Sequence, residues 1–113
     1  MKKSLIIIFL SLVAFATKAQ AKSLDTATFK VEGICEMCKE RIENAAYIKG
    51  VKKVDWNKET KIITVIYNPN KVTIEEVGKS IADAGHDNEY AMASTIDYDK
   101  IHGCCKYRTD HSH

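Results

Sequence analysis

No apolar stretch of this 113-residue chain reaches the ~20 residues that a membrane-spanning helix needs. The longest runs from Leu5 to Ala16 and is broken by Ser11. The chain also lacks internal repeats, a Ser-His-Asp order, a phosphate-cradling loop and a paired carboxylate site, which argues against hydrolysis and phosphoryl transfer. Charge of either sign is in little surplus, with 17 Lys and Arg against 15 Asp and Glu. Proline occurs once, at Pro69, where Asn68-Pro69-Asn70 marks the end of a strand-like run.

The first 21 residues read as an export signal. Met1-Lys2-Lys3 is a short basic start, the Leu5–Ala16 run is the apolar centre, and Thr17-Lys18-Ala19-Gln20-Ala21 supplies small residues for cleavage after Ala19 or Ala21. No cysteine stands at the cut, so a lipid anchor is not expected. Lys2, Lys3 and Lys18 account for three of the 17 basic residues, which leaves 14 against 15 acidic ones and a mature net charge of −1. The basicity belongs to the leader, and neither nucleic acid nor an anionic membrane is an expected partner. The expectation is an exported, periplasmic chain with no membrane span after cleavage, present as a monomer.

All four cysteines lie beyond that leader, as two tight pairs: Cys35–Cys38 and Cys104–Cys105. Export makes disulfides a live alternative. Neither pair closes a long loop alone, and adjacent cysteines bond to each other only in strained geometry, but a cross-link between the pairs would staple the tail to the first loop.

The remaining pattern is that of one small domain. Residues 22–27 form a polar lead. Phe29 and Val31 alternate with Lys30 and Glu32, as in a strand over about 28–32 with one buried face. Gly33 opens the cysteine loop, and a helix follows over about 38–48 with Ile42, Ala45, Ala46 and Ile48 inward and Lys39, Glu40, Arg41 and Glu43 mostly solvated. Gly50 stops it. Val51–Trp56 and Lys61–Tyr67 read as a hairpin, with Trp56 a packing residue. Thr73 and Glu76 make a capping box for a second helix carrying Ile74, Val77, Ile81 and Ala84, which Gly85 ends. His86 to about Ala93 provides a last strand in which Tyr90 and Met92 alternate. This order predicts an α+β, ferredoxin-like βαββαβ fold: a four-stranded antiparallel sheet with both helices on one face. The domain is expected over 28–94, with a Cys/His-containing tail over 95–113 that is either docked or disordered.

In this reading Cys35 lies in a loop and Cys38 in the first turn of a helix. The helix N-terminus favours thiolate over thiol, and two converging thiolates select soft ions. A lone CxxC is compatible with a metal clip, a redox pair or half of a zinc knuckle.

A CxxC between the first strand and first helix of a βαββαβ chain resembles the heavy-metal-associated domain family, which includes copper chaperones, the N-terminal modules of copper-transporting ATPases and periplasmic mercury-binding proteins. Cys35-x-x-Cys38, Ile42, Gly50-Val51, the hairpin and Ala84-Gly85 fall in the family's order. The loop departs from the usual Gly-Met-Thr-Cys-x-x-Cys, because Gly33-Ile34-Cys35 is one residue shorter and Ile34 stands where a Met is normally buried. Gly33-Ile34-Cys35-Glu36-Met37-Cys38-Lys39 together with the tail Ile101-His102-Gly103-Cys104-Cys105-Lys106-Tyr107 resembles small exported members of the family from Bacteroidetes-like bacteria.

The resemblance implies soft-metal binding by Cys35 and Cys38, Cu(I) first, with Hg(II), Zn(II) or Cd(II) as alternatives, for carriage, transfer or detoxification. A membrane metal transporter or efflux protein is the implied partner. His86, just after the second helix's Gly, is a further candidate ligand. So are Cys104 and Cys105, which can join the site, pass the ion on or pair oxidatively with the loop. Met37 is more simply loop cover than a thioether ligand, and Lys39 is expected to offset thiolate charge. His102, His111 and His113 suit Zn(II) or Cu(II) capture. Two other classes stay open: a thiol–disulfide oxidoreductase, although the chain lacks the aromatic–Cys–Gly–Pro–Cys type of loop, and a disulfide-stapled interaction domain.

Overall fold

The structure, a computed structural model, describes residues 23–108. The expected signal segment, Lys22, and the terminal histidines His111 and His113 lie outside the described residues. The elements run β1 (Asp25–Lys30), α1 (Glu36–Ala46), β2 (Val51–Trp56), β3 (Ile62–Tyr67), α2 (Ile74–Asp83), α3 (Thr95–Asp99) and a 3-10 turn at Gly103–Cys105.

The sheet is antiparallel with strand order β1-β3-β2. The β-branched run Ile62-Ile63-Thr64-Val65-Ile66 takes the centre, where both edges are paired. Ile63 and Val65 of β3, Phe29 of β1 and Trp56 of β2 meet Ile42 and Ala46 of α1 and Val77 and Ile81 of α2 in one core. Trp56 is fully buried and donates its indole N–H to the Val31 carbonyl at 3.1 Å. The amphipathic stripes expected for both helices therefore lie where the periodicity puts them.

Helix ends follow the sequence signals. Thr73 Oγ1 accepts from Glu76 N at 3.1 Å, while the Glu76 carboxylate accepts from Thr73 N at 2.9 Å, closing the capping box. Gly50 has φ of +99°, a left-handed turn that L side chains rarely adopt, and it delivers the chain from α1 into β2.

The fourth strand is where expectation and structure part. Among the described residues, the segment after α2 contributes only an isolated antiparallel bridge, Val31 with Asn88. Side chains there compete with the ladder. Asn88 Oδ1 accepts from Tyr90 N at 3.0 Å, Asn88 Nδ2 donates to the Gly78 carbonyl, and Asp87 Oδ1 accepts from Ala93 N at 2.7 Å. The segment folds into a tight turn, and Tyr90 and Met92 both come out exposed. Among the described residues the sheet thus has three strands rather than the four expected.

Beyond the turn the chain is docked. Ser94 caps α3 by accepting from Asp97 N at 3.0 Å. Tyr98, Ile101 and Cys105 are all buried in the same core. Gly85, at φ +105°, makes this possible, since a Cβ there would stand 2.5 Å from Ile101 Cγ2 and 3.0 Å from the Asp97 carbonyl oxygen. Tyr107 and Arg108 then fasten the far end. The Tyr107 hydroxyl donates to the Gly85 carbonyl at 2.7 Å and accepts from Asp87 N at 2.8 Å. Arg108 grips Asp87 with two nitrogens, at 2.7 and 3.1 Å, and also donates to the Ala93 carbonyl. Among the described residues, no helix is long and apolar enough to cross a membrane.

Candidate metal centre

Cys35 is the N-cap residue of α1, in extended conformation, and Cys38 sits in the helix's first turn. Three residues at helical rise bring the second sulfur back beneath the first, and the two Sγ atoms lie 3.6 Å apart. The tail brings the other pair to the same place. Cys35 Sγ is 3.5 Å from both Cys104 Sγ and Cys105 Sγ. The sulfurs of Cys35, Cys38 and Cys105 all fall within 4.8 Å of one another, the one potential metal-holding group of this kind among the described residues. Cys38 and Cys105 are fully buried and are joined as a disulfide, with Cα atoms 5.9 Å apart; Cys35 and Cys104 are free thiols.

The two free thiols divide their roles. Burial pushes the Cys35 thiol up, but the backbone N–H of Cys38, the Cys104 thiol, the backbone N–H of Met37 and the charge of Lys58 together bring it below its ordinary value. The hydrogen bond to Cys35 holds the Cys104 thiol above its ordinary value. The two shifts run in opposite directions, so of the two free thiols Cys35 is the more readily ionised.

Cations near the sulfurs are not those expected. Lys39 turns away, donating to Glu43 at 2.8 Å, to the Trp56 carbonyl at 2.7 Å and to Asp55 at 3.3 Å, a three-acceptor nest that holds the end of β2 against α1. Lys58 acts on Cys35 and Arg41 on Cys104 instead. The short loop is fixed by Lys61, whose ammonium donates to the Gly33 carbonyl at 2.5 Å. Ile34 is not tucked beneath it; the side chain is exposed. In the same region Gly33 packs against Trp56 and Ile42, and a Cβ there would lie 3.0 Å from the indole.

Met37 is exposed and its Sδ lies 3.7 Å from Cys104 Sγ, so it lines the rim of the sulfur group. His86 does not begin a strand. It is fully buried, stacked on Tyr107 with ring centroids 5.7 Å apart, and its Nδ1 is 2.8 Å from the Glu32 carbonyl oxygen. Burial lowers its pKa, against the favourable carbonyl contact and with the help of Arg41. The structure does not bring it into the group of three sulfurs. His102 is exposed at the start of the 3-10 turn. The residues that sequence reasoning missed are Asp87, Tyr107 and Arg108. Nothing in their spacing announces that they would seat Cys105, and the adjacent tail cysteines were the available hint.

A small α+β domain gathering cysteine sulfurs at a helix N-terminus is a heavy-metal-binding module. The chain belongs to the heavy-metal-associated domain family, whose profile matches residues 28–87. Over 60 residues it is 38% identical to the copper chaperone CopZ of Staphylococcus epidermidis, a match covering 51% of this chain and 88% of that protein. Among solved structures, it is similar to oxidised MerP from Ralstonia metallidurans CH34, with TM-score 0.56 and 30% identity over 59% of this chain and 96% of that one. It is also similar to the N-terminal domain of a potential copper-translocating P-type ATPase from Bacillus subtilis in the Cu(I)-loaded state, with TM-score 0.55 and 28% identity over 58% of this chain and 85% of that one. Cys104 and Cys105 lie beyond the matched residues.

Proposed function

We propose that this protein is an exported, periplasmic carrier of soft metal ions, Cu(I) first, which takes up the ion between Cys35 and Cys38 and hands it to a membrane metal transporter or efflux protein. The ion is cargo, and the chain performs no chemistry on it. One observation carries the reading: two sulfurs 3.6 Å apart where a loop becomes the N-terminus of α1. Thiolate is favoured there, and soft thiolates prefer Cu(I) or Hg(II) to hard cations. Similarity to copper chaperones and to a Cu(I)-loaded domain supports copper over mercury, zinc or cadmium. Export rests on the Met1–Ala21 pattern.

Because Cys38 is held in the disulfide with Cys105, loading begins with reduction. A dithiol donates two electrons and two protons to the bond and leaves as its own disulfide, freeing both thiols. The test is competitive titration of the reduced chain with a Cu(I) chelator. One tightly held Cu(I) is expected, and Cys35→Ser with Cys38→Ser should abolish uptake; unchanged affinity in the double variant refutes the proposal. N-terminal sequencing of envelope material checks export, with a mature start at Gln20 or Lys22 expected.

The disulfide itself favours a second reading, in which Cys38–Cys105 staples the tail and the domain serves as a protein-binding unit. Peptide mapping under non-reducing conditions that finds this bridge, together with absence of metal uptake after reduction, selects it.

A further inference from the structure

We propose that the docked tail is part of the metal site: in the reduced chain Cys35, Cys38 and Cys105 hold one Cu(I) as a three-thiolate set, with Cys104 as the exchangeable sulfur at its mouth. This rests on the metal-carrier reading above and changes its chemistry from an open two-sulfur clip to a closed centre.

The first support is distance. Cys35 Sγ lies 3.6 Å from Cys38 Sγ and 3.5 Å from Cys105 Sγ. Thiolates bound at ~2.3 Å in a three-coordinate set stand about 4 Å apart, so Cys35 already lies near the required separation from both partners, and reduction frees Cys38 and Cys105 to part by the remainder. The second support is the way Cys105 is held. Tyr98 and Ile101 are buried before it, and Tyr107 and Arg108 are hydrogen-bonded after it. Its own amide donates to the His102 carbonyl at 2.8 Å within the 3-10 turn. Anchors on both sides place a fully buried sulfur against the helix N-terminus, which a loose tail would not do. The third support is charge. Three thiolates and one Cu(I) leave a net charge of −2, which Lys58, acting on Cys35, and the start of α1 partly offset.

Function follows from closure. Two of the three sulfurs have no solvent exposure, so an incoming partner cannot reach them while the tail is seated. Cys104 is exposed, and its sulfur touches both Cys35 and Met37. Exchange therefore begins at Cys104 and finishes when the tail lifts and Cys105 leaves the ion.

The experiment uses the full chain, reduced and loaded anaerobically with one equivalent of Cu(I). X-ray absorption is expected to count three sulfurs in the wild type and in Cys104→Ser, and two in Cys105→Ser. Because a ligand seated on the same chain acts at high effective concentration, Cys105→Ser should lose on the order of 10² in affinity in chelator competition. Arg108→Ala keeps every sulfur but loosens the seat, and faster transfer of Cu(I) to a bidentate chelator is expected. Two sulfurs in the wild type, or equal affinity in Cys105→Ser, overturns the tail assignment and leaves the Cys35–Cys38 carrier standing. No Cu(I) uptake by the wild type overturns both.

Discussion

Tyr107→Phe isolates the tail latch at the cost of one oxygen atom. The phenol hydroxyl serves two backbone groups, donating to the Gly85 carbonyl at 2.7 Å and accepting from Asp87 N at 2.8 Å. Phe keeps the ring against His86 and Tyr98 but leaves both groups without that partner. A buried backbone group stripped of its hydrogen bond costs about 1–3 kcal/mol, and Tyr107 is only partly covered, so water can recover a share; the sum is about 2–3 kcal/mol. For a domain of this size 1 kcal/mol corresponds to roughly 4–8 °C in Tm. The penalty need not appear as global unfolding, because a docked segment can open by itself. Two readouts are therefore required: urea unfolding of the reduced chain, and hydrogen exchange at the amides of Cys104, Cys105 and Lys106. The expected result is faster exchange at those amides, with global stability lowered by no more than the latch contributes. Native exchange in the tail together with unfolding within 0.5 kcal/mol of wild type would refute the latch, since ~2 kcal/mol of interaction cannot vanish from both.

Alkali should release the same latch. Burial raises the Tyr107 pKa to about 12, above the ordinary value of 10.0, so the docked form prefers the neutral phenol. Stability is then fully present below pH ~10 and lost as pH rises toward 12; urea-unfolding free energy measured across that range should fall, and Tyr107→Phe should flatten the profile. Gly85→Ala adds a Cβ at φ +105° that meets Ile101 and the Asp97 carbonyl, and a loss of at least ~2 kcal/mol is expected by urea titration. Thr73→Ala opens the capping box at α2 and should cost about 1 kcal/mol without altering Cu(I) affinity, which separates helix stability from the metal centre.

How much of this was legible in the sequence differs by element. The cysteine loop, α1 with Ile42 and Ala46, the hairpin and the Thr73 cap all rest on local rules: apolar period, a glycine stop, a capping box. The last strand failed because Asp87 and Asn88 bond to nearby backbone instead of leaving it for a ladder, and an alternation of Tyr90 and Met92 says nothing of that competition. Lys39 was misplaced for a similar reason. Proximity in sequence put it beside the thiolates, while Glu43 and the Trp56 carbonyl, brought close only by folding, take its ammonium. The tail was the hardest segment, since Ile96, Tyr98, Ile101 and Tyr107 show no period. Ile96 is exposed, whereas Tyr98 and Ile101 find a core whose opening is created by a missing Cβ 16 residues upstream of Ile101.

The sulfur cluster has two competing uses for the same atoms, and the tail decides between them. With the tail seated, Cys38 and Cys105 share a disulfide, with Cα atoms 5.9 Å apart, and on the proposal above they face a common ion once reduced; both outcomes need the tail held by the same latch. A disulfide removes two donors at once, so oxidation and Cu(I) occupancy are mutually exclusive at this site. Each is also a covalent or coordinate bond between α1 and the tail, so each stabilises docking relative to the free dithiol. The weakest state for the latch is therefore the reduced, metal-free one, in which non-covalent contacts, Tyr98, Ile101, Tyr107 and Arg108 chief among them, hold the segment. If Cu(I) bridges α1 and the tail, tail-amide exchange in the reduced chain must slow on adding Cu(I) and slow again, from the same starting rate, on oxidation without metal. A two-sulfur clip predicts slowing in the oxidised case alone.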